Sequence, residues 1–237
     1  MLFSAHHVSK CYLAGAPGCS AAARVLSRVN LELDAGAVTG VVGARRCGKT
    51  TLVRCVAGLA RPDAGALRWA PGAERPRIVS LGPAALPLES VQEVVARACA
   101  DPLVDSDRLD AVLSRLGLDG LVGRSQAALT TDERARLALA IGIATRHPLL
   151  LLDGTADAIA ARARAVVRES LRRYAAEGGA VLLTGRDGDA VAALSTVTFR
   201  LCDGRLMSPP GEAERGHAAR VAERTPVPAP PSPPAVR

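Results

Sequence analysis

Residues 43–51 read Gly-Ala-Arg-Arg-Cys-Gly-Lys-Thr-Thr, with a Gly-Lys-Thr placed five positions after the first glycine. That spacing suits the holding of phosphate groups. A backbone that curls from Gly43 through Ala44, Arg45, Arg46 and Cys47 to Gly48 aims several N–H groups at one point. Lys49 adds a full positive charge, and the Thr50 hydroxyl, followed by Thr51, can reach a Mg²⁺ carried by the phosphates. The chain has only two lysines, Lys10 and Lys49, so one in this slot is no by-product of a lysine-rich sequence. The plainer alternative is an apolar strand followed by a glycine turn. Cys47 stands next to a helix start, a place that favours thiolate and hence thiol reagents; as plain loop filler it would be inert.

The flanking segments supply the frame that such a loop needs. Ala37–Val42 is apolar enough for a buried strand, and Thr51–Leu59 has the pattern of a helix that stops before Pro62. Before them, the alternation from Val25 to Leu33 and the turn at Asp34-Ala35-Gly36 predict a β-rich region over residues 1 to about 42. Beyond Pro62, short strands are predicted at Ala66–Trp69 and Arg77–Leu81. Helical periodicity then covers Ser90–Leu118 and Asp132–Thr145. Leu149–Asp153 reads as a fully buried strand, and about Asp157–Ala176 as a helix. Ala180–Thr184 is a strand, and Thr196–Met207 closes as a hairpin around Cys202-Asp203-Gly204. Half of the 16 prolines lie beyond Ser208, and a tail of that composition cannot bury a core, so 208–237 is expected to be disordered or polyproline-like.

With 237 residues the chain has room for one sizeable core. Its net charge is +7 and its aromatic content 2%. So few aromatic rings argue against a base-stacking surface, and no nucleic-acid partner is expected. The six cysteines show no Cys-x-x-Cys spacing and read as reduced thiols in a cytosolic protein. The longest apolar stretch, Leu137–Leu152, is broken by Arg146, His147 and Pro148, and the first residues lack the regions of a signal peptide. A soluble chain is expected.

The order of these pieces resembles the ATP-binding cassette of ABC transporters over roughly residues 2–207. Val8–Tyr12 is similar to the family's first strand, which implies that Tyr12 stacks on adenine. The run Leu31–Trp69 around the P-loop is the most specific part. His147–Asp153 resembles the strand whose aspartate, here Asp153, holds Mg²⁺ through water, and Asp203-Gly204-Arg205-Leu206 resembles the terminal hairpin. The resemblance implies an α/β fold of the P-loop NTPase type, with a mixed central sheet, an N-terminal antiparallel β region and an inserted α-helical subdomain at about 84–147. It also implies ATP and Mg²⁺ as ligands. A second ATP-binding subunit and a membrane permease are the implied partners, with the chain cytoplasmic and peripheral at the inner face of the membrane when bound to that permease. Tyr12 packing on the β region, and Asp153 ending a strand as a turn residue, are the plainer readings of those two positions.

Other family motifs are not matched. Leu129-Thr130-Thr131-Asp132-Glu133 stands in place of the glycine-containing signature, where Asp132 would bring a negative charge toward a partner's phosphates. Gly154 takes the place of the catalytic glutamate, Arg186 that of the switch histidine and Pro83 that of the glutamine after the short strand. Thr155–Ala160 departs from the dimer-contact loop, and Arg46 replaces a customary glycine. The groups that bind nucleotide are kept and those that drive hydrolysis are not, which implies binding with weak or no turnover. Arg45, Arg46 and Arg186 are either phosphate clamps or solvated, and Glu133 and Asp187 are the available substitute bases. The alternatives are a pseudo-ATPase regulator or scaffold without a permease, and an ATPase that works with non-standard residues.

Overall fold

Four consecutive leucines cannot turn any side to water, and Leu149–Leu152, each at most 1% exposed, form the middle of the fold. The structure, a computed structural model, describes residues 1–14, 21–71, 77–80, 90–121, 123–145 and 147–208. In chain order the elements are β1 (Phe3–Ala14), β2 (Ala21–Leu33), β3 (Val38–Val42), α1 (Lys49–Val56), β4 (Ala64–Trp69), β5 (Arg77–Ser80), α2 (Val91–Cys99), α3 (Ser106–Arg115), α4 (Thr131–Ala144), β6 (Leu149–Asp153), α5 (Arg164–Ala176), β7 (Ala180–Gly185), α6 (Gly188–Leu194), β8 (Val197–Cys202) and β9 (Arg205–Met207). Contacts group Met1–Met207 as one unit; of the second, Ser208–Arg237, only Ser208 is described. The expectations for the proline-rich tail, for Pro83 and for residues 84–89 therefore fall outside the described residues.

The central sheet has the order β5-β6-β7-β3-β8-β9, parallel from β5 through β8 with β9 antiparallel at the edge. Antiparallel β2-β1-β4 form a second sheet. This is the mixed α/β architecture with an N-terminal antiparallel region that the sequence predicts. Alternate residues of a strand point to opposite faces. Leu149 and Leu151 therefore join Val41, Leu182, α1 and the antiparallel sheet in one cluster, while Leu150 and Leu152 join Val181, Leu183 and the remaining helices in another. Burying each leucine contributes about 2 kcal/mol.

Three details differ from the sequence pattern. Ser90–Leu118 is two helices, because the chain turns at Pro102 and Asp105 starts α3 by accepting a hydrogen bond from Arg108 N at 3.0 Å. The helix placed from about Asp157 begins at Arg164, after two 3-10 turns at Ala156–Ala158 and Ala161–Ala163. Finally α6, seven residues long and capped by Asp187, has too short a pattern to announce itself.

Candidate phosphate-binding site

Loops that follow parallel strands leave the sheet at one edge, where ligands of such sheets bind. Here that edge gathers the loop after β3, Asp153 and Gly154 at the end of β6, and Gly185 and Arg186 at the end of β7. The loop after β3 is tied to β7, since Gly43 N donates to Gly185 O at 3.2 Å. Gly43 must be glycine, since a Cβ there would lie 2.5 Å from the Leu201 carbonyl oxygen and 2.6 Å from Cys47 Sγ. Gly48 carries the stronger demand. Its φ is +109°, and a Cβ would meet the Val25 carbonyl oxygen at 2.7 Å. Arg46, at φ +62°, holds a left-handed conformation without being glycine, at a cost of about 1–2 kcal/mol.

The helix that leaves this loop begins open. No side chain caps α1 and no acidic residue lies in its first turn, so its leading N–H groups are free for an anion. Lys49 arches back over the loop, donating from Nζ to Gly43 O and Ala44 O, both at 2.7 Å, with Cys47 Sγ at 3.6 Å. Ala44, Arg45, Arg46 and Thr50 are exposed, and Cys47 and Thr51 are half-buried. Arg45 and Arg46 have no ion pair among the described residues.

Asp153 Oδ1 accepts the Thr184 hydroxyl at 2.8 Å, and Thr184 Oγ1 accepts Gly154 N at 2.9 Å. Its Oδ2 has no hydrogen-bond partner among the described residues. Thr184 is fully buried and fixes the carboxylate; sequence reasoning missed it, although a hydroxyl in the run Ala180–Thr184 was the available signal. The residues present therefore fit a magnesium–triphosphate group, with the loop and Lys49 for phosphates and Thr50 and Asp153 for the cation.

Tyr12 is 40% exposed. Lys10 Nζ stands 5.5 Å from the ring centroid. Asp63 anchors that lysine at 2.8 Å and accepts Cys11 N at 2.6 Å; the hydrogen bond to Asp63 raises the lysine pKa, and the same bond lowers that of the carboxyl. Tyr12 pairs with Ala23 of β2, two residues before the Val25 carbonyl that backs Gly48. The antiparallel sheet thus links the tyrosine to the loop.

The segment Leu129–Glu133 behaves differently from its sequence expectation. Asp132 does not present its charge outward. It is 7% exposed, with Oδ2 held by Arg136 Nε at 3.0 Å and Nη2 at 2.9 Å, while Oδ1 accepts Ala160 N at 2.8 Å. The neighbouring guanidinium makes burial of the carboxylate tolerable. Glu133 closes a capping box with Thr130, accepting Thr130 N at 2.7 Å and Oγ1 at 2.9 Å. Those bonds, backbone first, hold its carboxyl below the usual range. Asp187 accepts Asp189 N at 3.0 Å and pairs with Arg164 at 3.2 Å. Both candidate bases are thus engaged. Gly154 has φ +70° with open space where a Cβ would be. Arg186 is solvated, with 57% of its side chain exposed, and it also meets Asp157 at 3.0 Å.

Among the described residues no group of three or more His, Cys, Asp or Glu side chains could hold a metal, and no helix is long and apolar enough to cross a membrane.

A family model described as "ABC transporter" matches residues 26–156. A cytochrome c biogenesis ATP-binding export protein of Methylococcus capsulatus is 33% identical over 68% of this chain and 83% of its own. An aliphatic sulfonates import ATP-binding protein of Rhizobium johnstonii is 36% identical over 77% and 70%, and a hemin import ATP-binding protein of Streptomyces coelicolor 33% over 79% and 74%. In fold, the chain resembles the solved ATP-binding subunit of an ABC transporter, with TM-score 0.71 at 18% identity over 92% of this chain and 94% of that one. A glycine-dependent phosphate loop at the edge of this sheet, a family match over more than half the chain and relatives of this identity lead to one conclusion: the chain belongs to the ABC transporter ATP-binding family.

Proposed function

We propose that the chain binds Mg-ATP through residues 43–51, Tyr12 and Asp153, and serves as the ATP-binding subunit of a transporter while hydrolysing ATP weakly or not at all. Its partners are a second ATP-binding subunit and a membrane permease, which keeps it peripheral at the cytoplasmic face. Residues 1–207 form the ATP-binding unit, the helical region at about 84–147 meets the permease, and 208–237 is an appended tail. The dimeric cassette of similar fold that was solved with ADP and phosphate supports this assignment for the ligand class.

One observation carries the low turnover: no side chain at Gly154 can polarise water, and Glu133 and Asp187 are committed elsewhere. Loss of a general base lowers such a rate by about 10²- to 10⁴-fold. Steady-state phosphate release by the purified chain at saturating Mg-ATP tests it. We expect a rate no higher than that of Lys49→Ala; brisk release abolished by that substitution would show a working ATPase instead.

A further inference from the structure

The cleft between β2 and the β8–β9 hairpin holds charge that neither the fold nor the phosphate loop uses. About 410 Å³ in volume, it is lined by Arg24 and Ser27 of β2 and by Cys202, Asp203, Arg205 and Met207 of the hairpin. A volume of that size suits a small molecule. Ser27 N donates to Gly204 O at 2.8 Å, which fixes the hairpin turn against β2. Asp203 and Gly204 both have positive φ, +47° and +72°, and this tight turn sets Cys202 opposite Arg205. Met207, two positions on, shares the face of Arg205, while Leu201 and Leu206 pack into the core.

The charge in this cleft is unspent. Arg24 and Arg205 are exposed, and neither makes an ion pair or hydrogen bond among the described residues. The one carboxylate in the lining, Asp203, accepts only Cys202 Sγ, at 3.6 Å. Two guanidiniums against one carboxylate leave the lining with positive charge in excess. The cleft is also separate from the phosphate loop. A Cβ on Gly48 would meet the Val25 carbonyl oxygen at 2.7 Å, and one on Gly204 would meet the same atom at 2.8 Å. The backbone of β2 therefore stands between loop and hairpin.

We propose that this cleft is an anion site distinct from residues 43–51, and that it takes a small organic phosphomonoester. A guanidinium pairs with two phosphate oxygens through parallel N–H groups, and the cleft offers two guanidiniums. The Ser27 hydroxyl, without a partner among the described residues, donates to a further oxygen. Met207, 54% exposed, gives an apolar rim for the organic part. Asp203 opposes the anion and so limits its affinity.

An NMR titration with phenyl phosphate, on isotope-labelled chain carrying Lys49→Ala, tests this. That background weakens the phosphate loop, and the Ser27 and Gly204 amides report on the cleft. Saturable shifts are expected at those two amides, with a weaker response to inorganic phosphate and none to phenol. Added to the same background, Arg24→Gln and Arg205→Gln should each weaken phenyl phosphate about five- to tenfold. Asp203→Asn, whose new residue type tolerates positive φ, should tighten it about two- to fivefold. All three side chains are exposed, so the variants should fold, and well-dispersed spectra check this. Unmoved Ser27 and Gly204 amides, or folded arginine variants of unchanged affinity, would overturn the proposal. Weaker binding by folded Asp203→Asn would overturn it too. Because the loop is disabled throughout, either result leaves the nucleotide-binding role of residues 43–51 untouched.

Discussion

Asp157 shows how single residues here are held by opposing forces of unequal size. Burial alone would raise its pKa, yet the N–H groups of Asp187 and Arg186 and the Arg186 guanidinium together hold it below the usual carboxylate range. A carboxyl whose folded pKa is depressed contributes stability that is fully present above its unfolded value of about 3.9 and is lost as pH falls through the lower folded value. Melting temperatures between pH 3 and pH 7 should therefore drop below about pH 4, and drop less in Asp157→Asn. Equal slopes for both proteins would mean that the carboxylate contributes nothing through its charge. Gly48 and Lys49 were legible in the sequence because a phosphate loop demands a special backbone and a point charge at fixed spacing. Thr184, and the pairing of Asp157 with Arg186, were not. Those contacts join residues about thirty positions apart, and only strand pairing brings such residues together.

At the scale of elements, α4 is tied to its surroundings by its first turn. Thr130 and Glu133 satisfy the leading N–H groups, and Asp132 reaches outside the helix to Ala160, fastening the loop after β6 to the helical subdomain. Arg136, one turn on, completes the tie by donating to the Leu116 carbonyl at the end of α3. Removing one partner of a buried pair leaves the other charge uncompensated, so Asp132→Ala should cost about 3 kcal/mol, a fall of roughly 6–12 °C in Tm for a unit of this size. Asp132→Asn should cost less, since its amide oxygen can still accept Ala160 N. Calorimetric melts of the two variants would check this order; an Asp132→Ala protein as stable as wild type would show that the tie is incidental. The sequence identified α4 but misread the direction of Asp132, because alignment with a signature says where a residue stands and not which way it turns. Strand β6 was read correctly for a physical reason: four leucines in a row leave only a doubly covered strand or a buried helix, and the run between Pro148 and Gly154 is too short for a helix.

For the whole molecule, the two apolar clusters on either side of the central sheet explain why one edge can hold strained and charged groups. The leucines of β6 and their neighbours secure the sheet, and the loops at its end are free to carry Arg46 and Gly154 in left-handed conformations. The residues proposed to bind phosphate are assembled there, while Glu133 and Asp187 are engaged in helix caps and an ion pair. The proposal of binding without rapid turnover rests on that distribution. The most direct measurement is a calorimetric titration of the purified chain with ATP in the presence of Mg²⁺, run alongside Lys49→Ala. Micromolar to sub-millimolar binding that vanishes in the variant is the predicted result. A wild-type chain that releases no heat of binding across that range would contradict it.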